Sequence, residues 1–122
     1  MKEFPKPKSF PERFKYAFQG VLTMIKTQSN ARVHLLATVA TVTAGIYYHI
    51  ALVEWLGIVL AITTVWAAEA FNTALEFLAD ATHPEHHPLI GRAKDIAAGA
   101  VLVSAFGAVT IGILVFKPYI MQ

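Results

Sequence analysis

From Ile96 to Phe116 this chain carries no charged side chain, and from Leu56 to Ala68 it carries none either. About 20 apolar residues are what a helix needs to cross the roughly 30 Å hydrocarbon core of a bilayer. Inside hydrocarbon every backbone N–H and C=O must be satisfied within the protein, which a helix does for itself. A third apolar stretch of similar length covers about 33–50. Hydrophobic residues make up 56% of the chain and charged residues only 15%, whereas a soluble domain is ~25% charged. An all-α integral-membrane protein is expected, as one domain over 1–122 with spans at about 33–50, 52–80 and 96–116.

Ahead of the first span, about 9–28 reads as an amphipathic surface helix. Ser9 suits the N-cap, with Pro11 and Glu12 in the first turn. Phe10, Phe14, Ala17, Phe18, Val21, Leu22 and Ile25 share one stripe, with Glu12, Arg13, Lys15, Gln19 and Lys26 mostly off it. A basic, Phe-rich helix of this kind suits the membrane interface; an ordinary core-facing helix is the alternative. Residues 1–8 read as a basic tail broken by Pro5 and Pro7. The first apolar run begins near Val33, after seven Lys/Arg residues, so no secretory leader is expected. With no Cys, disulfides, thiolate metal sites and Cys nucleophiles are excluded.

Basic residues orient a membrane chain, because they stay on the cytoplasmic side. Lys2, Lys6, Lys8, Arg13, Lys15, Lys26, Arg32, Arg92 and Lys94 fall on one side of the three spans, and Lys117 alone on the other. This predicts a cytoplasmic N-terminus, a cytoplasmic connection over 81–95 and an outside C-terminus. Tyr47, Tyr48, Trp55 and Tyr119 suit the outer interface, and Pro118 a helix stop. Small residues at every fourth position, Ala37, Thr41 and Gly45 in the first span and Ala100, Ser104, Ala108 and Gly112 in the third, suit close helix approach within the chain or between copies.

Against this apolar background stand Glu69, Asn72, Glu76 and Asp80. Spacings of three and four put them on one helix face. A carboxylate in hydrocarbon costs about 2.5–3.5 kcal/mol even on the lenient insertion scale. Counting down from Trp55 at ~1.5 Å per residue puts Glu69 in the inner leaflet, Asn72 near its edge, and Glu76 and Asp80 in the headgroup zone or water. Arg92, Lys94 and Asp95 approach the same level. A carboxylate at that depth can act as a base on a lipid alcohol. Carboxylates and an amide near water are hard oxygen ligands for Mg²⁺, and a lysine is a natural phosphate partner. The set points to Mg²⁺-assisted phosphoryl transfer between a lipid and a cytosolic substrate.

Taken singly, some pieces have plainer readings. Glu76 and Asp80 also suit a solvated helix end, and Lys94-Asp95 a cap with an ion pair. An ion-coupled exporter would also use an intramembrane Glu, but here the carboxylates gather at one membrane edge. A non-catalytic helical subunit is a third reading. No Walker A loop and no dinucleotide-binding glycine motif is present, and no basic, aromatic-interleaved patch suggests nucleic acid. The run His83-Pro84-Glu85-His86-His87-Pro88 resembles a metal site in composition only, since its prolines break helical ligand spacing.

Glu69-Ala70-Phe71-Asn72-Thr73-Ala74-Leu75-Glu76, followed by Asp80, resembles the signature E-x-x-N-[ST]-A-x-E-x-x-x-D of the small integral-membrane diacylglycerol kinases and undecaprenol kinases of bacteria. His87-Pro88-Leu89, Ala93-Lys94-Asp95 and Ala97-Ala98-Gly99-Ala100-Val101 resemble the second conserved block of that family. The resemblance covers nearly the whole chain. It implies a homotrimer in the bacterial inner membrane, with composite sites between subunits at the cytoplasmic face. It implies Glu69 as general base, Glu76 as Mg²⁺ ligand, Asn72 and Asp80 shaping the site near metal and nucleotide, Lys94 on the ATP phosphates, and Asp95 supporting Lys94. The family commonly has a further metal-ligating glutamate at the end of the surface helix; here that position is Gln28. Asn30-Ala31-Arg32-Val33-His34 and the His-Pro-Leu stretch look more like the undecaprenol branch than the diacylglycerol branch.

Overall fold

The computed structural model describes residues 5, 6 and 8–122; the tail reading at residues 1–4 and 7 lies outside them. The described residues form four helices and no strand: α1 (Phe10–Thr27), α2 (Ser29–Tyr48), α3 (Leu52–Thr82) and α4 (Pro88–Ile120).

α3 has 31 residues and α4 has 33, so each is about 45–50 Å long at ~1.5 Å per residue. These two are long and apolar enough to cross a membrane. α2, with 20 residues, has the length of a span but a more polar composition, holding Arg32, His34 and three threonines. Apolar side chains point outward along the bundle: Leu36, Val103 and Phe71 are 72–77% exposed. A soluble monomer does not carry so much open apolar surface; a lipid-facing one does.

α3 and α4 make the main contact of the fold, antiparallel. They are tied at both ends. At one end Tyr119 Oη donates to Glu54 Oε1 at 2.6 Å; at the other Lys94 Nζ donates to Asp80 Oδ1 at 2.6 Å. Glu54, in the first turn of α3, also accepts the N–H of Ala51 at 3.1 Å, satisfying an otherwise orphaned donor at the helix start. The Tyr119 phenol is held above its ordinary pKa of 10.0, chiefly because it donates to the Glu54 carboxylate. Tyr48 packs against Phe116 and Tyr119, with ring centroids at 6.3 and 5.8 Å, so the tyrosines expected at one interface do share one end.

α2 lies antiparallel along α3 through three contacts. Gly45 meets Trp55, where a Cβ on Gly45 would stand 2.5 Å from the indole. Trp66 Nε1 donates to Thr38 Oγ1 at 2.9 Å. His34 faces Glu69. The α2–α3 turn is only residues 49–51, with His49 in the left-handed region at φ 51°, a conformation that His visits more readily than most residues. The Gly45 end of the first small-residue stripe does allow close approach. At the Gly112 end of the α4 stripe there is no such close approach: a Cβ there would touch nothing within 4 Å.

α1 meets α2 at an elbow of one residue, Gln28, in extended conformation. Arg32 Nη1 donates to the carbonyls of Ile25 (3.3 Å) and Lys26 (3.0 Å), capping the last turn of α1 with positive charge. Ser9 is at the N-cap but its hydroxyl makes no capping bond. Phe10, Phe14 and Phe18 are 65–71% exposed on one side of α1.

Two boundaries differ from expectation. The α3–α4 connection is 83–87 and not 81–95, because Pro88 starts a helix without needing an N–H and His87 Nδ1 accepts the Leu89 N–H at 3.1 Å. Arg92, Lys94 and Asp95 therefore stand on the opening turns of α4. Pro118 does not stop α4, which continues to Ile120. Proline forfeits only its own N–H and clashes backward; the residues after it still bond, as Met121 N does to Lys117 O at 3.0 Å.

Candidate functional site

The polar face of α3 splits into two groups. The deeper holds Glu69, Asn72 and Thr73, which are 1%, 6% and 5% exposed. Eleven residues farther along, about 16 Å at ~1.5 Å per residue, Asp80 is solvent-exposed, with Glu76 half-buried between. Exposure thus rises along the face, because the packing of α2 and α1 against α3 covers Glu69, Asn72 and Thr73 but not Asp80.

The deep group is packed by α2 and α1. Met24, 4% exposed, borders one groove together with Thr73, and Ala31 near the elbow is fully buried. His34 Nε2 stands 3.6 Å from Glu69 Oε2, beyond hydrogen-bonding distance. His34 Nε2, both carboxylate oxygens of Glu69, Asn72 Oδ1 and Thr73 Oγ1 are buried without a hydrogen-bond partner. Leaving a buried polar atom unpaired costs about 1–3 kcal/mol, so a cluster of five marks a place that expects a polar guest. Beside it, a cavity of about 150 Å³ runs between α2, α3 and α4, lined by His34, Thr38, Ile58, Trp66, Ala105 and Ala108 among others. A second groove between α2 and α4, bordered by Asn30, His34, Ala98 and Leu102, opens on the other side of His34.

The outer group is Asp80, Glu76 and Lys94. Lys94 is raised above its ordinary pKa of 10.5, first by the hydrogen bond to Asp80, against a smaller desolvation effect, with the charges of Asp80 and Glu76 adding to the rise. Lys94 is therefore a fixed ammonium at the mouth of the hairpin. The hydrogen bond and ion pair of Lys94 go to Asp80; Asp95 follows Lys94 on the helix, and successive helical residues point in different directions. Asp95 is exposed.

Gln28, at the elbow, is half-buried and donates through Nε2 to Thr27 Oγ1 at 3.3 Å. Among the described residues no hydrogen bond joins it to Glu76, and no three of His, Cys, Asp and Glu gather as a metal site. The histidine loop is self-contained: His83 Nδ1 contacts Glu85 O at 2.9 Å, and the rings of His83 and His87 meet edge to face with centroids 5.2 Å apart.

One face of α3 thus carries a buried carboxylate at Glu69 and, about 16 Å farther along at ~1.5 Å per residue, the exposed Asp80 paired with Lys94 of α4. Comparison with known proteins gives the family. The family model for prokaryotic diacylglycerol kinase matches residues 15–116. The chain belongs to the prokaryotic diacylglycerol kinase family. It is also 37% identical over 109 residues to the undecaprenol kinase of Bacillus subtilis, covering 89% of each chain. It is 38% identical over 110 residues to a diacylglycerol kinase of Synechocystis, covering 89% of this chain and 63% of that one. As a member of the prokaryotic diacylglycerol kinase family, the chain is a lipid kinase.

Sequence reasoning missed the residues of the α2–α3 seam around Glu69. His34 served only as a mark of the undecaprenol branch, and Thr73 and Trp66 carried no role. The signal was present for His34: an ionisable residue inside an apolar span, flagged by the same rule that flagged Glu69.

Proposed function

We propose that this protein transfers the γ-phosphate of ATP to the primary hydroxyl of undecaprenol, giving undecaprenyl phosphate, at the cytoplasmic face of the bacterial inner membrane. The observation that carries it is Glu69: a carboxylate 1% exposed within an apolar helix, without a hydrogen-bond partner. Such a group is costly to keep and is placed to take a proton from an alcohol that arrives through lipid.

The roles follow from position. Glu69 accepts the hydroxyl proton. Asn72, one turn on, and Asp80 shape the nucleotide side. Lys94, hydrogen-bonded to Asp80, meets the phosphates as a point charge, and Asp95 supports the phosphate side. Glu76 and the amide oxygen of Gln28 are hard oxygen donors of the kind Mg²⁺ takes along with substrate phosphates. Mg²⁺ bound there would neutralise charge building on the phosphates.

Three spans are supported by the α2–α3 seam: α2 runs alongside α3 from Gly45 to His34, so a crossing α3 takes α2 to the same depth. The basic residues, nine of ten on one side of the spans, support a cytoplasmic N-terminus and an outside C-terminus, with α1 lying in the interface. A homotrimer with composite sites is supported by the open Gly112 end of the α4 stripe and by a donor set that one chain does not gather. The undecaprenol assignment is favoured by the B. subtilis relative, matched over 89% of its length; diacylglycerol is the second reading, favoured by the Synechocystis relative. An ion-coupled exporter fits less well, since the acidic groups cluster toward one end of α3.

The test is a competition assay. Purified protein in detergent with Mg-ATP is offered undecaprenol and diacylglycerol together, and the labelled lipid phosphates are separated. Preference for undecaprenol supports the assignment, preference for diacylglycerol replaces it, and no transfer to any lipid alcohol would falsify the kinase reading.

A further inference from the structure

The unpaired atoms around Glu69 specify more than a base. His34 Nε2 and Glu69 Oε2 are 3.6 Å apart and buried, with side-chain exposures of 16% and 1%, and neither has a partner. Two such atoms do not bond each other at that separation, but a single oxygen ~2.8 Å from each fits beside them. The register that brings them together is fixed from outside the pair. One turn away Trp66 Nε1 donates to Thr38 Oγ1, and Thr38 Oγ1 in turn donates to the carbonyl of His34 at 2.7 Å. Two turns of α2 are thus pinned to two turns of α3.

Among the described residues, neither of the two cavities that His34 borders has another titratable side chain in its lining: α4 contributes Ala98, Val101, Leu102 and Ala105 to one, and Ala105, Ala108, Val109 and Gly112 to the other. On its own helix the nearest cation, Arg32, is turned to the α1 carbonyls. His34 also borders the cavity of about 150 Å³ between α2, α3 and α4, which is large enough for a stretch of hydrocarbon and lined mainly by apolar side chains.

We propose that His34 is the second residue of the acceptor-hydroxyl site. In the Nε2-protonated tautomer it donates a hydrogen bond to the oxygen of the lipid alcohol while Glu69 accepts that alcohol's proton. The oxygen keeps one lone pair for phosphorus. The O–P bond to the lipid forms, the P–O bond to the departing ADP breaks, and the proton moves to a Glu69 carboxylate oxygen. His34 contributes orientation and discrimination: a site built to hydrogen-bond a hydroxyl rejects a lipid that lacks one, because its own buried polar atoms would stay unpaired. This inference rests on the lipid-kinase reading and adds a residue to it.

The experiment measures steady-state kinetics of full-length wild type, His34→Leu, His34→Ala and His34→Gln with Mg-ATP and undecaprenol, with diacylglycerol in parallel. Helix content and oligomer size are checked for each. His34→Leu and His34→Ala are expected to lower kcat/KM for the lipid at least about tenfold, as the loss of one buried hydrogen bond predicts, with KM for ATP unchanged. His34→Gln, which keeps an N–H donor of similar reach, is expected to recover most of the loss. Unchanged lipid kinetics in folded His34→Leu and His34→Ala, while wild type is active, overturn this inference alone. So does a loss shared equally by the ATP and lipid constants and not relieved in His34→Gln. A wild type inactive toward every alcohol overturns the kinase reading, and this inference with it.

Discussion

Lys94 Nζ donates a 2.6 Å hydrogen bond to Asp80 Oδ1 across the mouth of the α3–α4 hairpin. The two residues come from neighbouring helices and are fourteen positions apart. The pair ties the hairpin and at the same time keeps the lysine charged and aimed.

Lys94 is held above the ordinary lysine value of 10.5 by that bond. A raised folded value means that the pair's contribution is fully present below the ordinary value and is lost as pH rises through the raised one. In Asp80→Asn the Nζ resonance of Lys94 is expected to titrate closer to 10.5 than in wild type. Nζ-detected NMR on both proteins measures this, and identical titrations would show that the pair does not form in solution.

Glu69→Gln is expected to reduce turnover by roughly 10²–10⁴, the usual worth of a general base. Because Glu69 is buried without a partner, replacing it with a neutral isostere should leave the thermal midpoint unchanged or higher, the pattern of a residue kept for activity at the expense of stability. Lost activity together with a collapsed midpoint would point instead to a structural role.

Gln28→Glu adds a charge at the elbow where the family commonly has glutamate. The Mg²⁺ concentration for half-maximal activity is expected to fall. An unaltered Mg²⁺ dependence removes Gln28 from the metal site.

The same substitution should have opposite signs at two glycines. At Gly45 a Cβ would stand 2.5 Å from the Trp55 ring, so Gly45→Ala forces the indole to move, at about 1–3 kcal/mol, more than offsetting the helix-propensity gain. At Gly20 a Cβ meets nothing within 4 Å, so Gly20→Ala should stabilise α1 by roughly 0.5–1 kcal/mol. Thermal unfolding in detergent reads both; a rise for Gly45→Ala would mean that the α2–α3 seam is looser than described.

Helix content and the polar face of α3 were legible because they depend on local periodicity: Glu69, Asn72, Glu76 and Asp80 need only a helix to share a side. The gradient from buried Glu69 to exposed Asp80 is set by which part of α3 the other helices cover, and that is not encoded by spacing along α3. What stayed hidden lies between helices. The sequence placed Lys94 beside Asp95, but pairing with Asp80 depends on where the 83–87 turn returns the chain. His34 and Thr38 are meaningful only through the antiparallel register with Glu69 and Trp66, which no spacing within α2 encodes. α4 starts earlier than the span at 96–116 suggests because Pro88, at a first helical turn, begins a helix.

The ties of the hairpin are unequally shared. α3 and α4 are fastened at both ends, whereas α2 is fastened to α3 and, at its elbow, to α1, and leaves a groove open toward α4. Glu69 and His34 sit on the fastened α2–α3 seam, and the open side of His34 is the one toward α4. On the undecaprenol reading, a groove open between helices lets the long-tailed alcohol be exchanged within the plane of the bilayer, its tail staying in hydrocarbon while only its headgroup turns toward water.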